Sequence, residues 1–475
     1  MKRVVVIGGG ITGLATAHRL MELAQTTVRP VEVVLLESSA QFGGIVRTEE
    51  RDGFLLEHGP DSFISEKPAA LELSVRIGLE KRLIQTNQEH RRSFVVRRGR
   101  LRPVPAGFHL LAPSRLLPLF KSEIFSWSGK ARIALEPLVR KREINGDIDE
   151  SLAKFVRRRL GQEALERMAQ PMIGGIYTAD PEHLSLRATF PKFLEIERKH
   201  GSIIRGLRTE RTGEADVTGA RYSLFQSFDR GMQVLTDRLA ERLSSNTIRL
   251  NSRVESVALD HQTGKWHVHT APGDTISADS LCVTAPAYSA ASLLRDVDSK
   301  IASELDGIPY ESTATVNLAY RRKDITHPLT GFGFVVPAIE GLALIACTFS
   351  SVKFAGRAPE GRVLLRAFVG GALQPELFEL ESCDLLKRVT GDLNNLLGIT
   401  AEPLFTTVAK WQRSMPQYHV GHLQRVERIK SCLRALPGLA LAGSAYSGVG
   451  IPDCIRSGGQ AAEQIWNQWT SSAAA

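Results

Sequence analysis

The run Gly8-Gly9-Gly10-Ile11-Thr12-Gly13 restricts what this chain can become more than any other stretch of it. An apolar, β-branched segment over residues 3–7 enters it, and an Ala-rich segment over residues 12–24 leaves it. The first reads as a buried parallel strand and the second as a helix. Glycine loses more conformational freedom on folding than any other residue, so three in a row between stiff elements need a reason. The spacing Gly8-x-Gly10-x-x-Gly13 supplies one. One glycine permits a tight turn, one lets backbone approach a pyrophosphate, and one lets the helix pack close to the strand. The helix start then offers free N–H groups, Ile11 and Thr12 among them, and a positive dipole end to phosphate. A second buried strand is expected over residues 31–36. It ends at Glu37-Ser38, 24 residues beyond Gly13, where a carboxylate can grip a ribose hydroxyl pair. One βαβ unit of this kind opens a doubly wound α/β sheet.

Farther along, Asp52-Gly53 between "GIVRTEE" and "GFLLEHG" predicts a hairpin. From about 110 to 210 the pattern turns helical, with helices expected over 129–141, 150–160 and 162–168. Residues 108–120, "FHLLAPSRLLPLF", are apolar but interrupted by Pro113 and Pro118, too short to span a membrane yet suited to lie on one or to line an entrance. Residues 220–285 return to mixed α/β: "RGMQVLTDRLAERL" as helix, "TIRLNSRVESVALD" and "DSLCVTAP" as strands. Four strand-like segments then follow between about 312 and 370, "STATVNLAY", "GFGFVVP", "LALIACTF" and "RVLLRAFVGG", and imply a second sheet. The chain closes with "LALAGSAYSGVGIPDCIRSG", a strand, a Gly-rich turn and a helix.

Composition narrows the function classes. With 475 residues, 43% hydrophobic and 23% charged, the chain is of ordinary globular type with ample core. No run of 18 apolar residues occurs, and Met1-Lys2-Arg3 leads straight into a strand, so neither a spanning helix nor a signal peptide is expected. Five cysteines with no CxxC pair fit reduced thiols in the cytoplasm. The formal charge of +9 fits an acidic substrate or an anionic membrane surface. Its basic residues sit in short clusters, such as 97–102 and 157–159, without interleaved aromatics, and nucleic acid is therefore not an expected partner.

Behind Glu37, the segment "ESSAQFGGIVRT" adds Gly43-Gly44 and Arg47. That layout resembles the FAD-binding segment of the flavin amine oxidase superfamily, in which the doublet passes near the cofactor's phosphate and ribityl. Arg47 then either contacts phosphate or is solvated. At the other end, Gly443-Ser444 and Val449-Gly450-Ile451 precede the last helix, where backbone N–H groups can face the flavin's pyrimidine edge.

The longer pieces are more specific. "GFLLEHGPDSF", "GGIYTADPEHLSLRATFP", "SFDRGMQVL", "KWQRSMPQYHVGH" and "AGSAYSGVGIPDCIRSG" together resemble the oxygen-dependent protoporphyrinogen/coproporphyrinogen oxidases of haem synthesis, from end to end. The resemblance implies an α/β protein. Its Rossmann-like FAD-binding domain (1–90, 216–300 and 426–475) is interleaved with an α+β substrate domain (91–215, including a helical, membrane-facing insertion, and the sheet of 301–425). It implies non-covalent FAD, an anionic tetrapyrrole substrate, O2 as acceptor and hydride transfer to the flavin, with no catalytic side chain and no metal. A cytoplasmic location follows, with peripheral contact at the cytoplasmic membrane face and hand-off to a ferrochelatase as further implications.

The resemblance also carries roles residue by residue. Gly59, Pro60, Asp61 and Ser62 form a turn over the isoalloxazine, Trp411 stands near it, and Val254 meets adenine through its backbone. Gly175 and Tyr177 line the substrate face. Gly333, Val335 and Phe368 match apolar positions around the macrocycle, with plain core packing the alternative for the latter two. Arg92 is the candidate anchor for a propionate, although the register also allows Ser93 there. His58 reads as a strand-end residue rather than a base. Rival readings are a flavin oxidase or desaturase for an amine or a carotenoid, and a flavoprotein without turnover.

Overall fold

The computed structural model describes residues 1–142, 149–209, 225–244, 246–271 and 273–472; the expected domain boundary at 215–216 lies outside them. Five parallel strands form one sheet in the order Ile248–Arg249, Val31–Leu36, Lys2–Ile7, Ser280–Val283, Leu439–Leu441. Period-two alternation divides their side chains between two cores. Val4, Val6, Val33, Leu35, Cys282 and Ala440 pack against the helices Ile11–Thr27, Ala69–Arg76, Gln233–Glu241 and Ile451–Ser472. Val5, Ile7, Val34, Leu36, Leu281 and Val283 face a three-stranded meander, Val254–Asp260, Lys265–Thr270 and Thr275–Ala278, and the helices Ala287–Leu294 and His422–Leu433. The helix Ser299–Asp306 straddles the expected boundary at 300. It packs with this second core through Ile301, Ala302 and Leu305.

The second sheet has seven strands, in the order Phe405–Pro416, Tyr310–Arg321, Arg362–Gly370, Ala346–Phe349, Gly333–Val335, Phe94–Arg97, Arg100–Pro103. The four strand-like segments between 312 and 370 supply its middle; the two outer hairpin strands and Phe405–Pro416 are additions. One face is sealed by the helix Ser382–Leu397, whose Leu385, Val389, Leu393 and Leu396 cover Val316, Leu318, Leu365, Ala367 and Val369. The expected turn at 52–53 is present, with both residues left-handed (φ 51° and 79°), as a two-residue hairpin loop requires.

Helices recur through the described residues of 116–142 and 149–209 as expected in kind, with different bounds. The helix expected over 129–141 runs only Trp127–Ala134, because Pro137 lacks an N–H and disfavours helical backbone before it; a single 3-10 turn, Glu136–Leu138, follows. The one expected over 162–168 instead continues, through a wide turn at Leu165–Ala169, into Gln170–Tyr177. A buried ion pair ties this region together. Glu136 and Arg159 are both fully buried and directly paired. Glu136 also accepts from Ser202 Oγ (2.5 Å) and from the backbone N–H of Ile203 (2.9 Å) and Ile204 (3.2 Å), closing the start of the next helix. Removing one partner strands the other charge without water. Arg159→Ala is therefore expected to cost about 3–5 kcal/mol in denaturant unfolding, far above the cost of replacing an exposed arginine.

Candidate functional site

Three glycine turns meet beyond the carboxyl ends of the parallel strands, the position at which open α/β sheets take ligands. Gly8 has φ +107°, and a Cβ on it would stand 2.9 Å from Thr284 Oγ1. On Gly13 a Cβ would lie 1.9 Å from the Gly8 carbonyl oxygen. Both are therefore fixed by the protein's own packing. Gly10 is different: a Cβ there meets no atom of the described residues within 4 Å, and its backbone is ordinary extended (φ −71°). Gly10 is also the N-cap of the first helix, and no side chain caps that end. Only close approach by something other than protein gives this glycine a reason, and a phosphate at the free N–H groups of Ile11 and Thr12 fits it.

Glu37 follows the strand Val31–Leu36, its Oε2 accepting from the N–H of Gly9 (2.7 Å) and its Oε1 from that of Ser39 (2.8 Å). Ser38 lies exposed beside it, Oγ 3.3 Å from Oε1. The stretch leading to Val254 comes to the same edge, with Ser252 N–H donating to Glu37 O (2.8 Å). Gly43 is left-handed (φ +100°) and donates its N–H to Gly9 O (2.8 Å); Gly44 (φ +61°) rests against Gly10 Cα. The doublet thus lies on the first motif. Arg47 is exposed, and its carbonyl accepts from His58 N–H (3.0 Å).

The C-terminal turn closes the ring. Gly443 (φ +132°) lies by Thr284 O, so Thr284 touches both the first and the last glycine turn. Tyr418, from "PQYHVGH", accepts from Gly448 N–H (2.8 Å) and donates to the Ser444 carbonyl. Burial drives its phenol up and holds His422, stacked on it at 4.1 Å, down to about 4. Gln417 donates to Tyr177 O (3.2 Å), linking this turn to the segment carrying Gly175. Tyr177 itself is buried, edge-on to Phe190. Val449 packs on the helical core, and Gly450 and Ile451 start the last helix, with Cys454 N–H donating to Gly450 O (3.0 Å). Burial pushes the Cys454 thiol up to about 12, a poor nucleophile.

The seven-stranded sheet provides the opposite wall. Its register aligns Gly333, Thr348, Arg366 and Asn317 in one row and Val335, Ala346, Phe368 and Thr315 in the next, so all eight share the face away from Ser382–Leu397. Val335 and Phe368 are half-buried, and a Cβ on the exposed Gly175 would stand 3.8 Å from Val335. Trp411 Nε1 donates to His58 O (2.8 Å). His58 Nε2 pairs with Glu49 across the hairpin (2.9 Å). A Cβ on Gly59 would stand 1.7 Å from Ile45 O, which locks the Gly59-Pro60-Asp61-Ser62 turn against the segment after the doublet. Arg92 lies elsewhere. It is exposed, and a Cβ on Gly331 would stand 3.3 Å from its Cγ and 2.5 Å from the Phe94 ring, on the side of the sheet turned from the site. Ser93 is buried, its Oγ without a hydrogen-bond partner among the described residues.

Sequence reasoning missed Thr284, Tyr418 and the charged group behind the turn. Burial raises Asp61, yet Lys353 (2.9 Å to both oxygens) and Arg366 (3.6 Å) hold it well below the usual carboxylate range. Glu57 is driven up to about 7 by burial, against bonds from Thr48 Oγ1 and Met232 N–H (both 2.8 Å). Arg366 had left a trace, a lone cation in the apolar alternation Leu364-x-Arg366-x-Phe368.

A model of the flavin containing amine oxidoreductase family matches residues 11–466. The chain is 36% identical over 461 residues to the coproporphyrinogen III oxidase of Bacillus subtilis (strain 168), covering 96% of both. It is 32% identical to the chloroplastic protoporphyrinogen oxidase of Oryza sativa subsp. japonica, covering 97% of this chain and 87% of that one. A solved protein from Exiguobacterium sp. 255-15, described provisionally as a protoporphyrinogen oxidase, superposes with TM-score 0.87 at 32% identity over 98% of each chain. The chain belongs to the flavin containing amine oxidoreductase family, and its cofactor is FAD.

The glycine geometry separates two kinds of loss. Gly10→Ala is expected to leave the unfolding temperature unchanged while weakening FAD retention at least about tenfold, as it fills only the approach to the phosphates. Gly13→Ala is expected to lower the unfolding temperature as well, because its Cβ collides with backbone. Thermal unfolding of apoprotein and flavin fluorescence titration distinguish them.

Proposed function

We propose that this chain is an oxygen-dependent porphyrinogen oxidase of haem synthesis, converting coproporphyrinogen III or protoporphyrinogen IX to the porphyrin. Segments 1–90, 216–300 and 426–475 hold FAD, and 91–215 and 301–425 hold the substrate. The observation that carries the reading is near-complete coverage by relatives of both names, at 30–36% identity. Bound FAD supplies a two-electron acceptor, with O2 as the terminal acceptor and peroxide as its product. The chain's own residues bind and orient. Gly8–Gly13, Glu37, Ser38, Gly43, Gly44, Val254 and the turn at 443–451 hold the cofactor, with Arg47 at the phosphates. The turn at 59–62 and Trp411 set the ring position. Gly175, Tyr177, Gly333, Val335 and Phe368 form a largely apolar wall for the macrocycle and keep water from the reacting carbon.

Under anaerobic mixing, coproporphyrinogen III or protoporphyrinogen IX should bleach the flavin absorbance, and the faster of the two identifies the substrate. Failure of both while dithionite still bleaches it would exclude the reading, leaving an amine or carotenoid oxidase or a flavoprotein without turnover. In the same assay under turnover, Arg92→Ala should leave KM unchanged, since its side chain lies on the side of the sheet turned from the site; a raised KM would restore it as the propionate anchor.

No helix of the described residues is long and apolar enough to cross a membrane. A peripheral contact, which would favour hand-off of the product to a ferrochelatase, is supported by the helices Leu116–Lys121 and Trp127–Ala134. Leu117 is 68% exposed, Trp127 74% and nearby Leu138 76%, with Lys130 over the Trp127 ring (4.4 Å). Sedimentation with vesicles containing phosphatidylglycerol should therefore bring the protein down, and Leu117→Asp with Trp127→Asp should release it. Wild type left in the supernatant contradicts the contact.

A further inference from the structure

The turn that follows the strand Phe54–Glu57 belongs to the cofactor side of the molecule, yet the opposing sheet holds it. Asn317 Nδ2 donates to Glu57 O (3.2 Å), Thr315 Oγ1 and Trp411 Nε1 donate to His58 O (2.7 and 2.8 Å), and Arg366 donates to Gly59 O. Three consecutive carbonyls are thus taken by four side chains of the seven-stranded sheet. Beyond them Ser227 Oγ donates to Asp61 O (2.8 Å), and Lys353 Nζ reaches both Asp61 carboxylate oxygens.

The charges around this turn do not balance. Lys353, Arg357 and Arg366 face Asp61 and Glu57, all five buried or nearly so. Arg357 is tied to Ser227 Oγ (2.9 Å), Phe228 O (2.8 Å) and Asp229 O (3.2 Å). Among these five, one positive charge is in excess even with both carboxylates ionised; the further carboxylate acting on Arg357, that of Asp229, is shared with Arg82. A buried excess charge is costly unless an anion shares it or the group gives up its proton. A guanidinium cannot give up its proton. Arg366 is also the incompletely bonded member. Its side chain is 5% exposed, its Nε and Nη1 have no hydrogen-bond partner among the described residues, and its guanidinium lies 4.7 Å from the ring of Phe368 on the same face.

We propose that Arg366, braced by Asp61 and Lys353, is the residue that positions the cofactor turn, and that its buried positive charge raises the reduction potential of FAD held there. This rests on the FAD-dependent reading above. The sheet that receives substrate would then also set how readily the cofactor accepts electrons, since negative charge arriving on the ring is attracted to a cation held in a dry, preorganised position.

The midpoint potential of the FAD-loaded full chain reads this directly, separately from turnover, with apoprotein affinity for FAD followed by fluorescence. Arg366→Met is expected to reduce the preference for reduced over oxidised cofactor at least tenfold, a fall of about 30 mV for a two-electron couple. Lys353→Met, which removes a cation without touching a turn carbonyl, is expected to lower the potential in the same sense. Thr315→Val, which removes a turn hydrogen bond but no charge, is expected to weaken FAD affinity and leave the potential unchanged, and Arg366→Lys to restore most of what Arg366→Met loses. Potentials of Arg366→Met and Lys353→Met equal to that of Thr315→Val would overturn the proposal. If Arg366→Met retains no FAD, Lys353→Met decides alone. Wild type that takes up no FAD would overturn the reading beneath it, a distinguishable failure.

Discussion

Everything at the centre of this molecule depends on how closely backbone can approach backbone where the parallel strands end. The Gly8 carbonyl, the Gly13 Cα, the Gly43 N–H and the Thr284 side chain occupy a space in which one added methyl group collides with the next peptide. Close packing of this kind fixes the angle between the first strand and first helix, and so leaves the start of that helix, at Gly10, both uncapped and accessible. The last helix uses the same device: a Cβ on Gly458 would stand 2.6 Å from Thr12 O, so the chain's two end helices lie against each other.

A second constraint comes from the opposing sheet. Strand alternation sends Val363, Leu365, Ala367 and Val369 into a sealed core and Leu364, Arg366 and Phe368 toward the cofactor side. That face mixes two unlike tasks. Around Val335 and Phe368 it is apolar and partly open, suited to a flat hydrophobic ligand; around Arg366, Asn317 and Thr315 it is polar, buried and bonded to the cofactor turn. The two patches adjoin, Thr315 lying in the row of Val335 and Phe368 and Asn317 and Arg366 in the next, so a ligand at the first and the bonded turn at the second would share one rigid element.

The helical region is held differently. Glu136 and Arg159, both fully buried, satisfy one another along with a helix start, and Arg158 bridges Glu150 and Glu197 (2.8 and 2.6 Å). Paired charges of this kind contribute little net stability but penalise any arrangement that separates them. They fix one packing of the helices whose outer faces carry the exposed Leu117 and Trp127.

Local sequence determined the parts whose physics is local. The first βαβ unit, the Asp52-Gly53 hairpin and the glycine spacing were legible because a turn type, a helix start or a two-residue period depends on neighbours within a few positions. Resemblance carried the reading further, to Asp61 and to "PQYHVGH", without saying what those residues touch. Only the tertiary structure decided that Gly10 is open while Gly13 is closed, that Arg92 faces away from the site, and that Tyr418 bonds both ends of the last glycine turn. It also brought Asp61, Lys353 and Arg366 to one buried point from across roughly three hundred residues of chain. Strand register and burial decide such meetings, and neither is encoded in the spacing of the residues that meet.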